Sequence, residues 1–215
     1  MRKILVPIGL LWLAAGLAPD PAAAQVEVRT LHQRYLLGDA AKLDVDLSLG
    51  DLTIEASDGE SVEVDLRFAC VREDLERCRR QAERIRLVPR VRGRIFHVRL
   101  AKTPRGRMHG IKAEMRMRIP RRVQLEVDIR AGDVFVTGMQ SHLEIDGGVS
   151  NVDVIAGRDR TASVKVDVGA GKAELWLGDG RIEGTGFPRS LTWKGSGTSK
   201  IEVDLGSGNV RVRLE

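Results

Sequence analysis

The feature that most constrains this chain is a repeat. Four segments, Gln124 to Val136, His142 to Val154, Ser163 to Leu175 and Lys200 to Val212, share one pattern. It reads apolar, charged, apolar, Asp, a short run to Gly or Ser, a polar residue, then apolar-x-apolar. The segments start 18, 21 and 37 residues apart, and the last interval holds a degenerate copy around Ile182 to Gly195. A period near 20 residues in β-type sequence is a solenoid signature. Strict alternation places Leu125, Val127 and Ile129 on one face and Glu126, Asp128 and Arg130 on the other. After Ala131-Gly132 the apolar parity shifts to Val134 and Val136, which requires a corner. Gly50, Gly132, Gly171 and Gly208 are the expected corner residues, because glycine reaches backbone angles that other residues resist. The expected fold is all-β: a single-stranded, β-helix-like solenoid carrying one short α-helical insertion.

The pattern occurs once more at Lys42 to Ile54 and is then interrupted. This divides the chain into residues 1–24, a lead-in at 25–41, and a β-repeat domain at 42–215 whose insertion spans 71–110. Val62, Val64, Leu66, Phe68 and Cys70 alternate with polar residues as a half-buried strand. Val71, Leu75, Cys78, Ala82 and Ile85 follow at spacings of four and three, one stripe of an α-helix. Glu73, Asp74 and Glu76 early and Arg79, Arg80, Arg84 and Arg86 late suit the helix dipole. That helix is expected to cover core near the N-terminal half, since the open end of a solenoid exposes apolar surface and unpaired edges. Arg94 to Leu100 and Ile111 to Ile119 alternate as two further strands, separated by a basic Pro- and Gly-containing turn.

The line Met117 to Val134, with Ile119-Pro120, a short turn and Gly132-Asp133-Val134, resembles a family of exported bacterial β-repeat proteins. That family is catalogued as a domain of unknown function and labelled putative adhesin. The likeness covers roughly Lys42 to Glu215. It implies an exported binding protein and transfers no catalytic residue. Ser150 and Lys172 depart from the pattern, standing where Gly and Asp are usual.

Met1 to Ala24 reads as a secretory signal peptide. Arg2 and Lys3 precede an apolar run from Ile4 to Leu17, and Ala22-Ala23-Ala24 offers a small-residue cleavage site before Gln25. The expected location is therefore periplasmic, extracellular or at the cell surface, with no transmembrane segment in the mature chain. Net charge is +5, and it is unevenly spread. Arg72 to Arg107 holds 13 basic and 4 acidic residues, a balance of +9, whereas Gly132 to Glu215 holds 10 basic and 12 acidic, a balance of −2. Clustered charge attracts anionic surfaces at long range. Lys102, Arg105 and Arg107, which have no carboxylate neighbours in sequence, are the candidate residues for binding anionic envelope lipid or polysaccharide. Another envelope protein is the alternative partner. Few aromatics argue against a stacking platform for bases or sugars, and no nucleic-acid partner is expected.

Cys70 and Cys78 cannot bond within one helix, where eight residues span about 12 Å against the roughly 4.4–6.8 Å a disulfide needs. With Cys70 ending a strand and Cys78 on the returning helix, both face one core. Oxidation on export would join them, and two buried thiols is the alternative. His32, His97, His109 and His142 show no metal spacing. Gly169-Ala170-Gly171-Lys172 lacks the flanking residues of a phosphate loop. No catalytic residue, metal site or cofactor is expected. Asp128, Asp146, Asp167 and Asp204 would stack about 4.8 Å apart on successive coils. Such a ladder needs compensation, for which turn N–H groups are the preferred candidates and a calcium ion the alternative. The functional expectation is a non-enzymatic adhesin or envelope-surface scaffold. A regulatory envelope-stress component that binds a peptide or membrane protein is one alternative. A carbohydrate-active β-helix enzyme is the other.

Overall fold

A computed structural model describes residues 25–101 and 110–215. The leader segment 1–24 and the loop residues Lys102, Arg105, Arg107 and His109 lie outside the described residues. Among the described residues the fold comprises thirteen strands, two short 3-10 turns and one α-helix.

Four long strands form its middle: β8 (Gln124–Thr137), β9 (Leu143–Ala156), β10 (Thr161–Leu177) and β13 (Ser199–Leu214). Each carries two half-strands joined at a corner, at Gly132, Gly171 and Gly208 in β8, β10 and β13 and at Ser150 in β9, and both halves direct their apolar side chains into one core. In β8, Leu125, Val127 and Ile129 before the corner and Val134 and Val136 after it are all buried. A buried aliphatic side chain of this size contributes about 1.5–3 kcal/mol. Pairing among the four strands is parallel and in register, in the order β8-β9-β13-β10.

Shorter strands extend both halves. Beyond the first half of β8 come β2 (Lys42–Leu47), β6 (Ile95–Ala101) and β5 (Arg86–Arg92). Beyond its second half come β3 (Asp51–Ser57), β7 (Ile111–Pro120), β4 (Ser61–Val71) and β1 (Gln25–Leu36). At the opposite side, β12 (Arg189–Lys194) covers the first half of β10 and β11 (Gly180–Glu183) its second half.

The solenoid expectation is therefore overturned. The chain builds a 13-stranded mixed sheet, parallel and antiparallel, that is neither closed nor curled. Chain order does not follow spatial order, because β13 inserts between β9 and β10. The reason lies in the degenerate copy at Ile182 to Gly195. It folds back as β11 and β12, antiparallel to β10, and occupies that strand's far edge. Only the near edge remains for the last repeat. The lead-in is likewise a strand, β1, paired along its length with β4.

The insertion's helix, α1 (Leu75–Ala82), is shorter than its apolar stripe and follows a 3-10 turn at Arg72–Asp74. It packs on β4 and β1 and buries Cys78 and Ala82, with Ile85 buried just beyond it. Arg29 of β1 terminates it by donating from Nη1 to the Ala82 and Ile85 carbonyls at 2.5 and 2.9 Å. The Ala82 carbonyl also accepts the Ile85 N–H at 3.3 Å, so Arg29 adds a second donor at the helix end, where carbonyls run out of intrahelical partners. Cys70 at the end of β4 and Cys78 in α1 form a disulfide, their Cα atoms 6.0 Å apart. No helix among the described residues is long and apolar enough to cross a membrane.

Candidate binding surface

Because the four long strands run in register, equivalent outward positions line up as rows across the sheet. Ahead of the corner, Asp44, Glu126, Glu144 and Glu202 form one row, which ends at Lys165. Asp46, Asp128, Asp146, Asp204 and Asp167 form the next. The four repeat aspartates thus stand side by side, joined by Asp46.

The expected turn N–H partners do not hold this row. Each Asp lies in mid-strand before the corner, out of reach of the turn. Asp167 is held instead by the Ser190 hydroxyl, which donates to Oδ1 at 2.5 Å, and by Lys165 Nζ at 3.1 Å. These contacts lower its pKa from the ordinary aspartate value, the Ser190 hydrogen bond contributing most. Asp128 and Asp146 are shifted the other way. Partial burial raises the pKa of Asp128, helped by Asp44, Asp46 and Glu144. Burial followed by Glu144, Asp128 and Asp204 raises that of Asp146. Among the described residues, no group of three or more His, Cys, Asp or Glu side chains is arranged to hold a metal ion.

The opposite shifts yield an expected result. A carboxyl that holds its proton more tightly when folded weakens the fold as pH rises through its raised pKa, and carries no penalty below the unfolded value. Asp146→Asn should therefore raise the melting temperature at pH 7, and the gain should vanish near pH 3. Asp167→Asn should lower it at pH 7, and that loss should fade as pH falls through the lowered pKa. Exposed charge effects are at most about 1 kcal/mol, so each change is roughly 2–4 °C for a chain of this size. Thermal melts of both variants across pH 3 to 7 check the signs.

Behind the corner a different surface forms. Asp51, Asp133, Asn151, Asn209 and Lys172 occupy equivalent positions on β3, β8, β9, β13 and β10. The Asp133 N–H donates to Asp51 Oδ1 at 3.2 Å, Asn151 Nδ2 to Asp133 Oδ1 at 2.9 Å, and Asn209 Nδ2 to Asn151 Oδ1 at 3.0 Å. Lys112 Nζ closes one end on Asp51 at 3.0 Å. The adjacent row is Thr53, Phe135, Asp153, Arg211 and Glu174. Arg211 reaches Asp153 at 3.8 Å and Glu174 at 3.7 Å. Arg213 holds Asp153 at 2.8 Å, and Arg181 lies over the Trp176 ring at 5.4 Å. Together the two rows line a groove of about 560 Å³. Asp51, Asp133, Asn151 and Asn209 are fixed on strands and already hydrogen-bonded to one another, so binding by them would require little ordering.

Of the residues singled out from sequence, Gly132 and Gly208 flank Ser150, and Gly171 adjoins Gly208 across the sheet. Gly50 adjoins Gly132. The groove was missed. Its signal is the polar residue just after each corner, Asp133, Asn151, Lys172 or Asn209, whose recurrence marks a row once the strands are known to be in register.

No family model and no curated protein matches the chain, so the repeat-family resemblance stands on its motifs alone. Among solved structures, the chain is similar to a putative cell adhesion protein from Clostridium sporogenes, with 12% identity and a TM-score of 0.46. That match covers 87% of this chain and 99% of that one. It is also similar to a putative adhesin from Parabacteroides distasonis, with 15% identity, a TM-score of 0.32, and coverage of 61% and 59%. A putative adhesin from Bacteroides fragilis gives 12% identity, a TM-score of 0.30, and coverage of 86% and 97%. These are distant likenesses.

Proposed function

We propose that this protein is an exported, non-enzymatic binding protein of the bacterial envelope that holds polysaccharide along the groove behind the corners. The observation that carries this reading is the pair of rows spanning β3, β8, β9, β13 and β10. Amides and carboxylates on one row present donors and acceptors to sugar hydroxyls at the strand spacing of about 4.8 Å. Phe135, half-buried on the neighbouring row, offers an aromatic surface to a sugar's C–H face. Lys172 and Arg211 add charge-assisted donors for sugar oxygens. Asp153 and Glu174 are each engaged by two or more guanidinium contacts, which suits a rigid recognition surface more than proton exchange. Export is supported by the pattern of Met1 to Ala24 and by the Cys70–Cys78 disulfide, which belongs to an oxidising compartment.

Calorimetry with purified envelope polysaccharides tests the proposal. Arg211→Ala and Phe135→Ala should each weaken binding about tenfold, the loss of roughly one charge-assisted contact or one ring contact. Asp204→Asn, ahead of the corner, should leave binding unchanged. Binding that is equal in all three variants would move the site elsewhere, and no binding to any envelope polysaccharide would end the proposal.

A further inference from the structure

The outer face ahead of the corner has an abrupt charge boundary between β6 and β2. On one side stand the exposed guanidiniums of Arg90 and Arg92 from β5 and Arg99 from β6. On the other stand Asp44 and Asp46 from β2 and Asp128 from β8. These six side chains, with His97 among them, line a groove of about 170 Å³.

The register fixes their order. Arg90 is opposite His97 and His97 opposite Asp44. Arg99 is opposite Asp46, and Asp46 opposite Asp128. His97 Nδ1 lies 2.7 Å from Asp44 Oδ2, so that pair is internally satisfied at the boundary. Among the described residues, Arg90, Arg92 and Arg99 make no ion pair, and neither do Asp46 and Asp128. Arg99 thus faces Asp46 across one strand spacing, roughly 4.8 Å, with Arg90 and Arg92 one strand further out on β5 and Asp128 one strand further on at β8. The carboxylate side is already crowded: beyond the effect of partial burial, Asp44, Asp46 and Glu144 raise the proton affinity of Asp128, and Lys42 opposes them. A cation placed there relieves that repulsion.

A simple anion would meet the guanidiniums but be repelled by the aspartates. A simple cation would meet the reverse. A group carrying both charges a short distance apart satisfies both sides. Guanidinium is the side chain best shaped for phosphate oxygens, and a primary ammonium supplies three donors for carboxylates.

We infer that this groove binds an aminoalkyl phosphate of the phosphoethanolamine type, with the phosphate on Arg90, Arg92 and Arg99 and the ammonium on Asp46 and Asp128. The group can come free, or as the headgroup of a lipid. This site lies ahead of the corners, apart from the polysaccharide groove, so either proposal can fail alone.

Titration of the mature chain with O-phosphoethanolamine, inorganic phosphate and ethanolamine tests the inference. O-phosphoethanolamine should bind at least about tenfold more tightly than either half. The triple variant Arg90→Gln, Arg92→Gln, Arg99→Gln should abolish binding. Asp46→Asn with Asp128→Asn should reduce O-phosphoethanolamine to the level of inorganic phosphate. Arg211→Ala should change nothing. Flotation with phosphatidylethanolamine vesicles, against phosphatidylcholine vesicles, separates the sources: capture by the former alone identifies the lipid headgroup, and binding only in solution identifies the free compound. Equal affinity for phosphate and O-phosphoethanolamine, binding insensitive to the arginine variant, or no binding in solution or to vesicles would overturn the inference.

Discussion

Gly208→Ala is expected to cost about 4 kcal/mol or more, among the largest effects a single methyl group produces. Gly208 holds φ at +136°, and Gly50, Gly132 and Gly171 hold 132°, 137° and 143°. Side chains are resisted there by local sterics alone, at about 1–3 kcal/mol. The second cost is specific to this fold. A Cβ at Gly208 would fall inside the van der Waals envelope of the Ser150 carbonyl oxygen, and one at Gly171 inside that of Gly208. These atoms belong to neighbouring strands, so no side-chain rotation relieves the clash. The β9-β13 ladder would have to part at its middle.

Two other glycines separate the contributions. Gly38 has φ +55° but nothing within 4 Å of an added Cβ, so Gly38→Ala should cost only the local term, about 1–2 kcal/mol. Gly59 lacks the positive φ, and its nearest contact would be an ordinary 3.6 Å, so Gly59→Ala should be close to neutral. Urea unfolding of the three variants measures the series. A Gly208→Ala protein as stable as Gly38→Ala would show that the corners tolerate a side chain and that strand contact there is loose.

Removing the disulfide is expected to have the second-largest effect. Cys70 and Cys78 are eight residues apart, and closing so short a loop in the unfolded chain is worth about 2.5 kcal/mol in the chain-entropy account. Cys70→Ala with Cys78→Ala should lower the melting temperature by roughly 5–10 °C. The damage should be local. The bond ties α1 to the end of β4, and Arg29 ties the end of the same helix to β1. Amide exchange should therefore quicken in Leu75–Ala82 and the adjoining halves of β1 and β4 while β8, β9, β13 and β10 stay protected. A reductant should reproduce the loss in the parent and leave the variant untouched. An unchanged midpoint in reduced parent protein would mean that packing of Ala82 and Ile85 alone holds the helix.

Much of the fold's local content was legible in the sequence. Alternation assigned the inward faces of β2, β4, β7 and the four long strands, because a side chain's direction along a strand depends only on its own parity. The parity shift at Ala131-Gly132 located the corner, and the stripe from Val71 to Ile85 located the helix. The aspartate row was likewise readable, since equivalent repeat positions meet whenever strands stack in register. The groove was readable only in part: each polar residue after a corner is visible, but which strand lies beside which is not.

Strand order is what the sequence left undecided, and on that point the solenoid expectation failed. A repeat states that its copies can pair, and any copy offers the same edge to any other. The order β8-β9-β13-β10 arose because β11 and β12 returned on β10 and took one of its two edges. That placement sets Asn209 against Asn151, Arg211 between Asp153 and Glu174, and Asp204 between Asp146 and Asp167. On the other side of β8, the pairing of β6 with β2 separately brings Arg99, more than 50 residues along the chain, beside Asp46. Local sterics and side-chain parity determined the halves, the corners and the helix. Competition among equivalent edges for hydrogen-bonding partners, a property of the assembled sheet, decided which charges and amides became neighbours.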